Sequence, residues 1–176
     1  YLVREKSLPA SAIDSRGNDV LSFISQKDEK YLSGFNPDKY QGVTEMQDLI
    51  LDPGQIGQSG KLYLFMNGWI FPTDASINYA LSQSSEIKVT RPSIQVINKK
   101  GEWETVDENL GFPMGKDKTV IADLSGKFLS SDHRVRIRTN MEIYWDYIFF
   151  SEEPSSAPLN TTVLEPVSAD LHYRGF

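Results

Sequence analysis

Between Arg134 and Phe150, apolar and polar residues alternate for longer than anywhere else in the chain. Val135, Ile137, Thr139, Met141, Ile143, Trp145, Tyr147 and Phe149 take the odd positions, while Arg134, Arg136, Arg138, Asn140, Glu142 and Asp146 take even ones. Successive side chains of a strand point to opposite faces, so this period predicts extended chain with its odd face buried. Strands rarely exceed roughly ten residues. A strand pair, or one strand bent midway, with a break near Asn140, satisfies that limit.

Shorter apolar runs fill the rest of the chain from residue 34 onward. Turn signals separate them: Asn36-Pro37-Asp38, Asp52-Pro53-Gly54, Gly57 to Gly60, Phe71-Pro72-Thr73-Asp74, Asn98 to Gly101 and Gly111-Phe112-Pro113. That spacing predicts a sandwich or jelly roll. The expected strands are 48–51, 62–71 (apolar on both faces, hence central), 77–81, 93–97, 103–106 and 119–124, with 161–164 and 169–173 as closing strands after a loop over 154–158. Strands 93–97 and 103–106 read as a hairpin in which Gly101 supplies a positive φ.

Before residue 34 the pattern weakens. Residues 1–18 are polar and interrupted by Pro9 and Gly17, an extended lead-in. Over 19–32, Asp19 is a candidate cap, and Val20, Leu21, Ile24 and Tyr31 fall near one helical face. Residues 20–24 fit a short strand equally well. The expectation is one mainly β domain over 19–176, a β-sandwich or jelly roll with a short N-terminal helix.

Composition narrows the function classes. The chain has 176 residues and a net charge of −6, without a basic stripe. Binding to phosphate backbones draws on clustered Lys and Arg, so nucleic acid is not an expected partner. No apolar run approaches the roughly 20 residues of a membrane-spanning helix. With no cysteine in the sequence, disulfides, thiolate zinc sites and Cys nucleophiles drop out. The chain opens on Tyr1 and closes on Tyr173-Arg174-Gly175-Phe176, so both ends read as cut from something longer.

Candidate chemistry is sparse. The two histidines, His133 and His172, lie in a turn and a terminal run, and no Gly-x-Ser-x-Gly elbow accompanies them. Glu142 and Asp146 share a strand phase, yet four residues of strand span about 13 Å, beyond the spacing of glycosidase carboxylates. They read instead as exposed acids opposite Arg134, Arg136 and Arg138. That Arg row alternatively joins Tyr144 or Trp145 in a platform for sugars or carboxylates. Asp14, Asp19, Asp52, Asp74, Asp123 and Asp146, with Asn67, Asn78 and Asn140, offer hard oxygen ligands for a structural calcium assembled from distant loops. Turn chemistry is the plainer account of most of them.

Trp69 and Trp145 fall in apolar runs and read as core, whereas Trp103, after the hairpin turn, reads as exposed. Loops carry function more often than strands. The candidate ligand site therefore comprises Trp69, Asp74, Asn78, Lys116 and Lys118, around the turn 71–74 and the loop 111–118, with Trp103 as a separate exposed ring.

Three segments carry a resemblance: Gly68-Trp69-Ile70-Phe71-Pro72-Thr73-Asp74-Ala75-Ser76-Ile77-Asn78, Leu110-Gly111-Phe112-Pro113-Met114-Gly115-Lys116-Asp117-Lys118-Thr119, and Arg136-Ile137-Arg138-Thr139-Asn140-Met141-Glu142-Ile143-Tyr144-Trp145-Asp146. Over roughly residues 10–176 the chain resembles a β-domain near the C-terminus of large secreted bacterial proteins. Those proteins combine FG-GAP/VCBS-type propeller repeats with ASPIC/UnbV-like or tetratricopeptide regions. The resemblance implies an extracellular, periplasmic or cell-envelope location and transfers no catalytic residue. Val135 to Arg138 and Ile143 to Ile148 are also similar to the late strands of galactose-binding-like jelly rolls. That likeness implies loop-borne ligands and a structural calcium. The expectation is a non-catalytic module for adhesion, assembly or scaffolding, with a protein or glycan partner. The alternative is a carbohydrate-binding module with calcium, and behind it a hydrolase whose carboxylates meet only in the fold.

Overall fold

The computed structural model describes residues 3, 5–55, 61–115, 117–152, 160, 162–173 and 175. Its elements in chain order are β1 (Ser11–Asp14), α1 (Leu21–Ile24), β2 (Val43–Asp52), β3 (Tyr63–Ile70), α2 (Ala75–Gln83), β4 (Ser93–Ile97), β5 (Trp103–Asp107), β6 (Lys118–Asp123), β7 (Val135–Met141) and β8 (Ile143–Ser151). Two antiparallel sheets form, a five-stranded one in the order β1-β2-β7-β4-β5 and a three-stranded one in the order β6-β3-β8. The fold is mainly β with sandwich-like packing. Among the described residues no helix is long and apolar enough to cross a membrane.

Alternation explains the interior. Leu49 and Leu51 of β2, Ile94 of β4, and Val135 and Ile137 of β7 face Leu64, Met66 and Ile70 of β3 and Ile143, Trp145, Ile148 and Phe150 of β8 in one buried cluster. Each fully buried side chain of this size contributes about 1.5–3 kcal/mol relative to exposure.

The long alternating run proves to be one extended stretch bent midway, and its halves join different sheets. Glu142 is the crossing residue. Its amide donates to the Gly42 carbonyl at 3.0 Å, and its carbonyl accepts from the Phe71 amide at 2.9 Å. The expected odd phase holds only as far as Trp145. In the β3–β8 ladder Asn67 faces Tyr147 and Gly68 faces Trp145, so Asp146 is an inserted bulge residue. A bulge adds one residue and reverses the facing of the strand beyond it. Ile148 and Phe150 therefore point inward, and Tyr147 shares the outer face with Phe149. Asp146, expected to be an exposed acid, is fully buried.

Other expectations are corrected. Residues 77–81 are not a strand but lie within α2, because the Asp74 carboxylate accepts from the Ile77 amide at 2.8 Å and starts a helix. α2 buries none of its residues, so it rests on the sandwich without joining the core. The helix expected over 19–32 is a single turn. The Asp19 side chain does accept from the Leu21 amide at 2.9 Å, but by Ser25 the chain is already bridged to Tyr147 of β8. The closing strands at 161–164 and 169–173 are absent among the described residues. Residues 162–173 form no strand and are exposed, and the outer edge of β8 is occupied by Ser7, Ser25 and Leu32. Thr161 and the loop at 154–158 lie outside the described residues. The lead-in contributes β1, the edge strand beside β2. In the β4–β5 hairpin, Gly101 has φ +79°, as its turn requires.

Candidate functional site

The outer face of the three-stranded sheet is lined with rings where a solvated face would carry polar side chains. On β3, Leu64, Met66 and Ile70 point inward, which leaves Phe65, Asn67 and Trp69 outward. On β8, Tyr144 precedes the bulge and also points outward. Trp69 and Tyr144 are paired across the two strands and stack with centroids 4.6 Å apart and planes 8° from parallel. Phe35 meets the Tyr144 ring at 5.3 Å and 63°, Tyr31 sets its edge on Trp69 at 6.1 Å and 83°, and Phe71 continues from Trp69 at 6.0 Å. All five rings are half-buried, so each is held in place while part of it meets solvent.

Carboxylates at the margins fix the two phenols. Tyr144 donates to Glu142, and Tyr31 donates to Asp117 at 3.2 Å. Burial, reinforced in each case by the carboxylate, pushes both hydroxyls up to about 12. These acids are therefore engaged in orienting rings, and the phenols remain neutral donors over the physiological range.

At the Phe71 end, the two loops singled out from sequence come together. Phe71, Pro72, Thr73 and Asn78 on one side and Phe112 and Met114 on the other line a cavity of about 270 Å³. Asn78 accepts from the Thr73 hydroxyl at 2.9 Å. Asp74 caps α2, and its hydrogen bonds from Ser76 and Ile77 hold its carboxyl below the usual range. Trp69 thus adjoins this cavity through Phe71. Lys118 begins β6 opposite Gly68, next to Trp69 along β3. Lys116 lies outside the described residues.

Trp103 does not belong to this strip. It stands on β5 in the other sheet, half-buried rather than exposed, with the Arg136 guanidinium 4.6 Å from its ring centroid. The Arg row forms an ion-paired sheet face. Arg138 reaches Asp48 at 2.8 Å, Arg136 reaches the same carboxylate at 3.7 Å, and Arg134 pairs with Asp132 at 2.6 Å. Because the chain crosses sheets at Glu142, Tyr144 and Trp145 are parted from that row. The histidines lie elsewhere, His133 against Phe128 and His172 with Asp170 on the terminal segment.

The candidate calcium ligands stay dispersed, and most turn back on their own backbone: Asp14 to Arg16 and Asn18, Asp52 to Gly54, Asp123 to Ser125. Among the described residues no three His, Cys, Asp or Glu side chains are grouped to hold a metal ion. Tyr31 and Phe35 are site residues that sequence reasoning does not assign, since their place depends on which edge the segment 25–35 runs along, and Tyr144 joins them here instead of the Arg row with which it was expected to form a platform. No family model matches the chain, and no curated protein sequence matches it.

Proposed function

We propose that the chain is a non-catalytic binding module of a larger exported bacterial protein, the kind of β-domain its sequence resembles, serving adhesion, assembly or scaffolding. One observation carries this reading: the ordered, half-buried stack of Trp69 and Tyr144, continued by Phe35, Tyr31 and Phe71, on a sheet face. Pre-oriented rings bind at low conformational cost, and the nearby carboxylates of Glu142 and Asp117 are occupied as ring anchors.

The same stack favours a second reading, a carbohydrate-binding module of galactose-binding-like jelly-roll type with a structural calcium. Stacked aromatic faces suit the C–H face of a pyranose, and the strands that carry the jelly-roll likeness, β7 and β8, are divided between the two sheets. Thermal shift against a glycan panel, with and without calcium, tests both readings. A glycan that uses the strip raises the melting temperature of the wild type and leaves Trp69→Ala unmoved. Absence of any shift with sugars or calcium removes the second reading. Turnover of a glycan by the purified chain removes the first.

A further inference from the structure

Each sheet has two edge strands, and three of the four are covered or blunted. Along β1, the Asp14 amide donates to the Asn18 carbonyl at 3.1 Å and the Ala12 carbonyl accepts from Val20 at 2.9 Å. Ser7, Ser25 and Leu32 line the edge of β8. β5 carries Glu104 and Asp107, and its ladder is interrupted between Ile94 and Gln95. β6 has none of these devices. Its middle, Thr119-Val120-Ile121-Ala122, is uncharged and rich in β-branched residues, and it pairs with β3 without a register shift. A regular, uncharged and uncovered edge is a template for a further strand.

The open groups on β6 can be named. The Leu124 amide donates to the Leu62 carbonyl at 2.8 Å, in frame with the β3–β6 ladder. Backbone groups of an antiparallel strand alternate sides with period two. Val120 and Ala122 therefore face β3, while Thr119 and Ile121 turn their amides and carbonyls to the open side. Neither makes a backbone hydrogen bond on that side among the described residues.

The chain also contains a strand-forming run that joins no sheet. Thr162, Val163, Leu164 and Glu165 form no strand and are exposed, Val163 at 77% and Leu164 at 85%. We propose that this run adds to β6 of a second copy of the chain as an antiparallel strand. Charge complementarity sets the register. Glu165 lies opposite Lys118, both of them exposed and neither ion-paired among the described residues. Leu164 then falls opposite Thr119, Val163 opposite Val120 and Thr162 opposite Ile121. In that register Leu164 and Thr162 exchange backbone hydrogen bonds with Thr119 and Ile121, and Val163 covers the half-buried Val120. Pro166 has no amide hydrogen to offer and ends the strand just past Lys118. The surface is a sheet edge, so the inference stands apart from the Trp69 stack.

Sedimentation velocity of the full chain, from micromolar to millimolar, should show association that grows with concentration. Hydrogen exchange at the Thr119 and Ile121 amides should slow in step with it. The exposed double variant Val163→Asp/Leu164→Asp should stay monomeric, and Trp69→Ala should associate as the wild type does. Lys118→Glu and Glu165→Lys should each associate about tenfold more weakly, because like charges then face each other. Mixed in equal amounts, those two variants should recover the wild-type affinity, since each copy supplies the charge the other needs. No association, association that survives Val163→Asp/Leu164→Asp, loss of association in Trp69→Ala, or a mixture no tighter than its components would each overturn the inference. So would protection of Thr119 and Ile121 that is independent of concentration, which is the mark of the run folding onto its own β6.

Discussion

A Cβ placed on Gly68 would stand 2.3 Å from the Tyr144 carbonyl oxygen and 3.1 Å from the Trp145 Cα. The nearest obstacle is backbone, which cannot swing aside, and the Trp145 ring adds Cε3 at 3.0 Å. The bulge at Asp146 lies at this point of the ladder, between the Asn67–Tyr147 and Gly68–Trp145 pairs. Gly68→Ala is accordingly expected to cost about 1–3 kcal/mol, the usual range for forcing an extra methyl into a filled space. It should also disturb the Trp69–Tyr144 stack. Urea denaturation measures the first effect and tryptophan fluorescence the second. Asp146 itself accepts the Asp28 and Glu29 amides at 3.3 and 3.1 Å. Asp146→Ala leaves both amides without that acceptor and should lower stability by about 1–3 kcal/mol. Asp146→Asn keeps one side-chain oxygen and should lose less. Similar losses for Ala and Asn would mean that the amide contacts are not what Asp146 contributes.

The elements most legible from sequence are those whose own alternation fixes their faces. β7 is the clearest, with Val135, Ile137 and Thr139 buried as the odd phase requires, and the β4–β5 hairpin comes directly from its turn residues. Elements defined by distant partners are not legible. Ile77 to Leu81 has strand-like composition, and only the Asp74 cap, three residues before Ile77, marks it as helical. The ring strip is hidden for a related reason. Trp69 is visible, but Tyr144 falls on the phase of the Arg row, and a bend at one residue, Glu142, sends it to the other sheet. The edge of β8 is a further case. Ser7 exchanges two backbone hydrogen bonds with Phe150 at 2.9 and 2.8 Å, and Leu32 donates to the Trp145 carbonyl at 2.7 Å. A polar lead-in gives no sequence sign of this pairing. Removing residues 1–8 should expose the Phe150 amide, which then exchanges with solvent faster by hydrogen–deuterium exchange, while the Ile137 amide in β7 stays protected. Unchanged protection at Phe150 would show that the edge is closed by something other than Ser7.

At the scale of the whole molecule, two sheets must stay in register with each other as well as within themselves. Buried side chains supply most of that cohesion, but a polar clasp also spans the gap. Lys127, in the connection that leaves β6 of the three-stranded sheet, reaches Asp107 at the end of β5 in the five-stranded sheet, at 2.9 Å. Both side chains are roughly three-quarters shielded, at 29% and 26% exposure. The hydrogen bond from Lys127 holds the Asp107 carboxyl below its ordinary value of 3.8. A carboxyl depressed in the folded state binds fewer protons there than in the unfolded chain, so its contribution is fully present above 3.8 and is lost as pH falls through the lowered value. Partial exposure limits the pair to about 0.2–1 kcal/mol near neutral pH. Asp107→Asn should therefore be less stable than the wild type at pH 7, and the gap should close on acidification below the ordinary carboxyl range. Denaturation midpoints of both proteins, taken at intervals from pH 7 to pH 2, measure that convergence. A gap that stays constant to the acid limit would mean that Asp107 acts through packing, and that the sheets are held together without the clasp.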